Sequence, residues 1–361
     1  MWNEICSYRQ KERRSKHSIN SHSSFLIPHS TNNQIRFLKS LICLSFFILH
    51  SSFLSAQTIT FTGDILLDRG VRQHIEQYGV DALFTPEIDS LFAASDVVVG
   101  NLECPATNLR TPASKLYVFR AEPEWLAVLR RHGITHLNLA NNHTVDQHRG
   151  GLRSTYDNCL RAGIVPVGAG ETMNQAADPV LLSGISNQKP SSLGEEGRGG
   201  PQRNIWLFAS QRLKLENFVP LPDAFSVSQE DMDTLCQRIS RLRTADPTAY
   251  IIVSLHWGHE HRLQPVPQQR LQAHQIIDAG ADCIVAHHTH TLQTIETYKG
   301  KTIYYSIGNF IFDLTKPINT RACVVQITIP PHTAPADGNT PPVEVKTIPI
   351  EIIQCTPHIR K

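Results

Sequence analysis

The chain is predicted to form an α/β layered domain, on three observations. Short apolar runs alternate with helical patterns through the first half. Strand-like runs follow one another with few helices towards the C-terminus. Polar residues collect where apolar runs end. In order, Thr58–Thr62 reads as a strand ending at Gly63-Asp64, Asp96–Val99 as a second ending at Gly100-Asn101, and Thr135–Leu139 as a third ending at Ala140-Asn141-Asn142-His143. Helical patterns fill the gaps at Val71–Gln77, Glu87–Ala94, Glu122–Arg131 and Arg149–Arg161, the last closing on Gly163 as a C-cap signal. The polar, Gly/Pro/Ser-rich stretch Ser186–Asn204 reads as an insertion loop.

Beyond it come a strand at Ile205–Ala209, a helix at Glu230–Leu242, a strand at Tyr250–Leu255 ending at His256, a helix at Gln268–Ala279 and a strand at Asp282–Ala286 ending at His287. Thr291–Thr297, Thr302–Ser306, Ala322–Ile329 and Val343–Ile353 then read as strands rich in antiparallel pairs, suited to a two-sheet sandwich. The expected organisation is an N-terminal extension over 1–56, one main domain over 57–315 and a C-terminal strand extension over 316–361.

A chain of 361 residues with 40% apolar content can bury a substantial core. Its net charge of +2 is uneven: residues 1–39 carry seven basic side chains against Glu4 and Glu12, and the rest carries 27 basic against 30 acidic. A mildly acidic body gives no electrostatic case for nucleic-acid binding. Arg36 and Lys39 precede the apolar run Leu41–Leu49, and Ala56 offers a small residue at a cleavage point. This reads as a secretory signal, favoured over a membrane anchor because Leu41–Ala56 falls short of the ~20 residues that a spanning helix needs. The expected location is exported: periplasmic, extracellular or membrane-associated on the outer face. The six cysteines after the leader are scattered with no CxxC pair, so several read as small buried apolar residues.

The chemical signal is positional. Asp64, Asn101, Glu103, Asn142, His143, His256, His288 and His290 lie at or just past the ends of expected strands, and in α/β sheets those ends open into the ligand crevice. One Asp, one Glu, one Asn and several His can supply mixed O/N ligands for zinc, manganese or iron. The His-x-His spacing of His288 and His290 can present two imidazoles if the backbone turns there, and Glu103 could bridge two ions. Singly, each has a plain structural reading as a turn, a cap or a solvated loop; together, at four or five successive strand ends, they point to one site.

Seven segments, in order, resemble the CapA-type capsule biosynthesis proteins: TFTGDILLDRG (60–70), VVVGNLECPAT (97–107), LNLANNHTVDQHRGGL (137–152), GIVPVGAG (163–170), IVSLHWGHEHRLQP (252–265), DAGADCIVAHHTHTLQTIE (278–296) and IYYSIGNFIFD (303–313). The resemblance to that family, related to the calcineurin-like metallophosphoesterases, implies a four-layer α/β/β/α sandwich with two divalent metal ions (Mn, Zn or Fe) at the sheet edge. It implies metal ligation by Asp64, Glu103, Asn142, His256, His288 and His290, with Glu103 bridging and His143 catalytic. Asp146 could orient His143 or instead cap the following helix. Asn101 and Asn309 would support the site or touch substrate.

Three positions depart from the implied pattern. Asp64-Ile65-Leu66 lacks the imidazole of an Asp-x-His motif, Asn101 stands where an Asp is usual, and Ala286 replaces a Gly. The implied function is synthesis or export of an anionic polymer such as poly-γ-glutamate, by metal-dependent hydrolysis of a phosphoester or amide bond. The alternatives are a non-catalytic polymer-binding and assembly factor, or an extracellular nucleotidase. The implied partners are that polymer, or a phosphorylated or glutamyl small substrate, together with membrane capsule-assembly proteins.

Overall fold

The computed structural model describes residues 56–182, 203–331 and 341–360. The expected signal segment and nearly all of the expected insertion loop lie outside these residues. Along the chain run β1 (Gln57–Ile65), α1 (Arg69–Tyr78), α2 (Pro86–Ala93), β2 (Val97–Leu102), α3 (Trp125–Arg131), β3 (His136–Asn138), α4 (His148–Arg161), β4 (Val165–Val167), β5 (Ala169–Gly170), α5 (Met173–Ala176) and β6 (Val180–Leu181). They are followed by β7 (Ile205–Gln211), β8 (Ser226–Val227), α6 (Met232–Ala245), β9 (Tyr250–His256), α7 (Pro267–Asp278), β10 (Cys283–His287), β11 (Ile295–Tyr298) and β12 (Lys301–Tyr304). The chain closes with β13 (Asn309–Ile311), α8 (Pro317–Thr320), β14 (Arg321–Ile329), β15 (Glu344–Ile353) and β16 (Thr356–Ile359).

Two sheets dominate. One has the order β16-β15-β14-β1-β2-β3-β4, with β13 also on β1; the other has the order β11-β12-β10-β9-β7-β6. The centre of each is parallel: β1–β2–β3–β4 in the first, and β7–β9–β10–β12 in the second. Such strands are buried on both faces, which explains the continuous apolar runs in β2, β9 and β10. Alternate residues of the second sheet enter two cores. Leu207, Ile252, Cys283 and Val285 join the first sheet and its helices, including Ile88, Phe92, Leu129 and Leu152. Phe208, Ile251, Val253 and Ile284 pack instead with Leu235, Ile239, Ala273 and Ile276 of α6 and α7. The layering is therefore helices, sheet, sheet, helices, an α/β/β/α sandwich.

Local chemistry sets the helix starts. Asp68 accepts from Arg69 N at α1, Thr85 accepts from Ile88 N with Pro86 following at α2, and Asp231 accepts from Thr234 N at α6. No helix among the described residues is long and apolar enough to cross a membrane. The cysteines at 104, 159, 236, 283, 323 and 355 are free thiols, four of them buried.

Several boundaries differ from expectation. β1 does not stop before Gly63-Asp64 but runs to Ile65, because it pairs with β2 on one side and β13 on the other. Gly63 makes this possible: a Cβ there would lie 2.2 Å from Gly308 O, and Asp64 N donates to that same oxygen at 3.0 Å. The expected strand Thr291–Thr297 begins only at Ile295, and before it Leu292 makes a single antiparallel bridge to Ile307. The antiparallel pairs expected among the C-terminal strands are present in β11–β12, β14–β15 and β15–β16, and β14 also runs antiparallel to β1, while β9–β10 and β10–β12 are parallel. β4 contains Pro166 and lies at the sheet edge, where a missing N–H is tolerated.

Candidate metal centre

Register brings the polar residues together. In the first sheet Asn309 and Asn101 both stand opposite Asp64, and Asn138 stands opposite Asn101. In the second sheet His256 stands between Gln211 and His287. One polar row thus crosses the ends of each sheet. The rows meet: His287 Nδ1 is 3.3 Å, and His290 Nδ1 3.2 Å, from the two oxygens of Asp64.

His288 and His290 lie in the turn after β10 with φ of 93° and 54°. Left-handed backbone at two non-glycine residues is strained, and such strain concentrates at functional sites. The turn delivers both imidazoles into the cluster. Ligand-type atoms of Asp64, Glu103 and His290 lie within 4.8 Å of one another, as do those of Glu103, His256 and His288. Glu103 belongs to both groups. Asn142 joins at His256, its Oδ1 2.7 Å from Nε2, while Glu103 Oε1 is 3.4 Å from the same nitrogen. All six residues expected as ligands on the family pattern therefore share one place.

The donor chemistry fits a divalent cation. Both oxygens of Glu103 are buried without a hydrogen bond, as is Asp64 Oδ2. A buried carboxylate with no partner costs several kcal/mol, and a cation is the usual remedy. Burial, and then the charge of Asp64, pushes Glu103 well above the usual carboxylate range. Burial acts the same way on Asp64, but the adjacent imidazoles of His287 and His290 prevail and hold it well below that range. Burial and the charge of His288 push His256 well down, and burial with the charge of His290 takes His288 to about 3. Burial opposes the cationic form of His290, yet Glu103 and Asp64 outweigh it and raise it to about 9. Neutral His256 and His288 are in the form that ligates metal.

Asn101 supports the cluster from beside Asp64. Its Nδ2 donates to Asp64 Oδ1 at 2.8 Å, and its Oδ1 accepts from Asn138 at 3.1 Å and Asn141 at 3.4 Å. The amide is spent holding Asp64, so its oxygen faces away from the cluster. Asn309 plays the matching part for His290, its Oδ1 lying 3.0 Å from Nδ1. Such partners fix the orientation of the groups that bind.

Asp146 orients His143 and does not cap a helix. Its Oδ2 is 2.9 Å from His143 Nδ1 and accepts from Phe119 N at 2.7 Å. The residue at the cap position of α4 is Gln147, without a side-chain cap bond. The sequence reading did not single out Lys115, which is nearly buried. It forms an ion pair with Asp146 and donates to Asn142 O at 3.1 Å. Burial depresses His143, with Asp146 working against the shift. Also missed were the supporting Asn138, Asn141 and Asn319, and the contact of His287 with Asp64. Asparagines inside the run LNLANN carry a signal that could have found two of them, since a buried strand spends polar side chains only where they are bonded. Lys115 carries none, lying in a loop that only the tertiary fold brings to Asp146.

Residues 58–314 match the family of bacterial capsule synthesis proteins PGA_cap. The chain is 32% identical over 257 residues to the PGA biosynthesis protein CapA of Bacillus subtilis strain 168, a match covering 70% of this chain and 63% of that protein. It is 31% identical over 264 residues to the capsule biosynthesis protein CapA of Bacillus anthracis, covering 71% of this chain and 60% of that protein. It thus spans less than two thirds of each relative. Among solved structures, the sulfate thiohydrolase SoxB of Thermus thermophilus in complex with glycerol is 13% identical, with a TM-score of 0.39, covering 77% of this chain and 45% of that one. With the family match running through every strand that contributes to the cluster, the chain belongs to the bacterial capsule synthesis protein PGA_cap family.

Proposed function

We propose that this protein acts in the synthesis or export of an anionic capsule polymer or exopolymer such as poly-γ-glutamate, as an exported metal-dependent hydrolase of a phosphoester or amide bond. The observation that carries the reading is Glu103: a buried carboxylate with both oxygens free of hydrogen bonds, common to two groups of ligand atoms. Asp64, Glu103 and His290 would hold one divalent ion, and Glu103, His256 and His288, with the Asn142 amide oxygen, a second. Such ions lower the pKa of a bound water and polarise a phosphoryl or carbonyl oxygen.

The protein's own groups supply the rest. Asn101 and Asn309 keep Asp64 and His290 in place. Asp146 takes the Nδ1–H of His143, which leaves Nε2 as the ring nitrogen that can meet a substrate. Lys115 braces the Asp146 carboxylate from its other oxygen.

A second reading, a polymer-binding assembly factor without turnover, draws support from Asn101, an amide where an acid would add a ligand. Elemental analysis of purified protein, with assays on a phosphoester and on γ-glutamyl oligomers, separates the two. About two equivalents of metal, lost in the His288→Ala/His290→Ala variant, together with turnover would support the hydrolase. Metal without turnover would favour the binding factor, and no metal would defeat both site assignments.

A further inference from the structure

The segment after β9 carries a histidine that none of the chemistry above uses. His261 has φ of 60°, a left-handed backbone conformation that costs a non-glycine residue about 1–2 kcal/mol. Packing does not account for it, because the side chain is 45% exposed. Glycine or asparagine would make the same turn with less strain. The residue is pinned to the cluster by its backbone, His261 N donating at 2.8 Å to the carbonyl of Thr289, the residue between His288 and His290. Its ring centroid is 6.3 Å from that of His290.

The buried amide of Asn319 fixes which ring nitrogen carries the proton. Asn319 Nδ2 donates to the carbonyl of His290 at 2.9 Å, which sets the amide orientation, and the same nitrogen lies 2.9 Å from His261 Nδ1. Nδ1 therefore accepts, and the neutral imidazole carries its hydrogen on Nε2. The nearest recorded acidic atom, Glu260 Oε2, is 3.9 Å from Nε2, beyond hydrogen-bonding range. The ring feels the charges of His290 and Lys316, which favour an anion beside it, and that of Glu260, which opposes one.

We infer that His261 is a substrate-contacting residue on the rim of the metal centre, whose Nε2–H donates to an anionic oxygen, phosphoryl or carboxylate, of the bound ligand. This rests on the metal-centre reading above. The strained backbone and the Asn319 clamp then have one purpose: they hold a single outward donor at a set distance from His290.

The test uses the full chain with Mn²⁺, with inorganic phosphate and γ-glutamylglutamate as separate probes in calorimetric titrations of wild type, His261→Gly and His261→Asn. Glycine relieves the backbone strain, so His261→Gly should keep its metal content and melt at the wild-type temperature or a few degrees above. Its affinity for at least one probe should fall about tenfold, the loss expected for a hydrogen bond to a charged group. A fall for phosphate alone makes the ligand phosphoryl, and a fall for the dipeptide alone makes it carboxylate. His261→Asn, shorter but also tolerant of this conformation, should show the same loss with the turn intact. Unchanged affinity for both probes, or metal loss in His261→Gly, overturns the assignment. So does wild-type protein that holds metal yet binds neither probe, which leaves the metal-centre reading standing; wild type that takes up no metal defeats that reading and this one with it.

Discussion

Glu103→Gln in metal-stripped protein gives the sharpest test of the centre. Glu103 is raised well above the usual carboxylate range by burial and by Asp64, so the folded state holds its proton where the unfolded state has released it. Stability must then fall as pH rises above the ordinary carboxylate value and through the folded one, by about 1.4 kcal/mol per pH unit for one proton. His290, raised to about 9, acts in the same direction: its contribution is complete below about 6.5 and is lost as pH climbs through 9. The depressed histidines, His256, His288 and His143, titrate differently from the unfolded chain only below about pH 7, so a window from 7 to 8.5 isolates the first two.

At roughly 2 °C per kcal/mol for a domain of this size, each proton so linked is worth about 3 °C of Tm per pH unit, so metal-free wild type should lose Tm steadily across that window. Glu103→Gln removes one titrating group and leaves Asp64 to hold the proton on His290, so its profile should be shallower than that of wild type. Mn²⁺ at about 100 times its Kd should raise wild type by about 2.7 kcal/mol, near 5 °C, and the variant by far less. Differential scanning fluorimetry with chelator, and then with Mn²⁺, reads all of this. A variant as steep as wild type, or one lifted equally by Mn²⁺, would refute the assignment of Glu103 as the shared ligand.

Three further outcomes follow from the same geometry. Asn101→Asp replaces a donor to Asp64 Oδ1 with a like charge, so metal-free melts should show a loss of about 2 kcal/mol that added Mn²⁺ reverses. His143→Ala should keep its metal by elemental analysis and lose ~10²–10⁴-fold in turnover, whereas His288→Ala should lose the metal itself. Gly63→Ala places a Cβ 2.2 Å from Gly308 O and should cost about 3 kcal/mol or more in urea unfolding, since β13 has to move off β1.

How much of this was legible depended on what each residue's position encodes. Strand ends are written in the chain, because an apolar run that stops at Asp, Asn or His marks both a boundary and an edge; Asp64, Glu103, Asn142, His256, His288 and His290 were readable in this way. Pairing is not written locally. The parallel approach of β13 to β1 depends on two glycines, Gly63 and Gly308, some 245 positions apart, and nothing near either announces the other. The same holds for Lys115, a loop residue whose role comes from meeting Asp146. The Ser186–Asn204 loop and the leader were read from composition alone, and both lie essentially outside the described residues.

The arrangement around His143 bears on whether this centre turns substrate over. A residue that only packs needs no fixed tautomer, but here Asp146 takes Nδ1–H while receiving Phe119 N and pairing with Lys115. The 115–119 loop, acting through Asp146, thus sets one imidazole, and neutral His143 presents a lone pair at Nε2. In that form it accepts a proton, for example from a nucleophilic water; donation to a leaving group requires the imidazolium. Burial disfavours the imidazolium, and Asp146 restores part of it. A proton-donating role therefore predicts activity that falls as pH rises past a value below that of an ordinary histidine, and an accepting role predicts activity that rises there. A pure binding factor predicts neither, because affinity for a polymer gains nothing from the tautomer of a nearly buried ring.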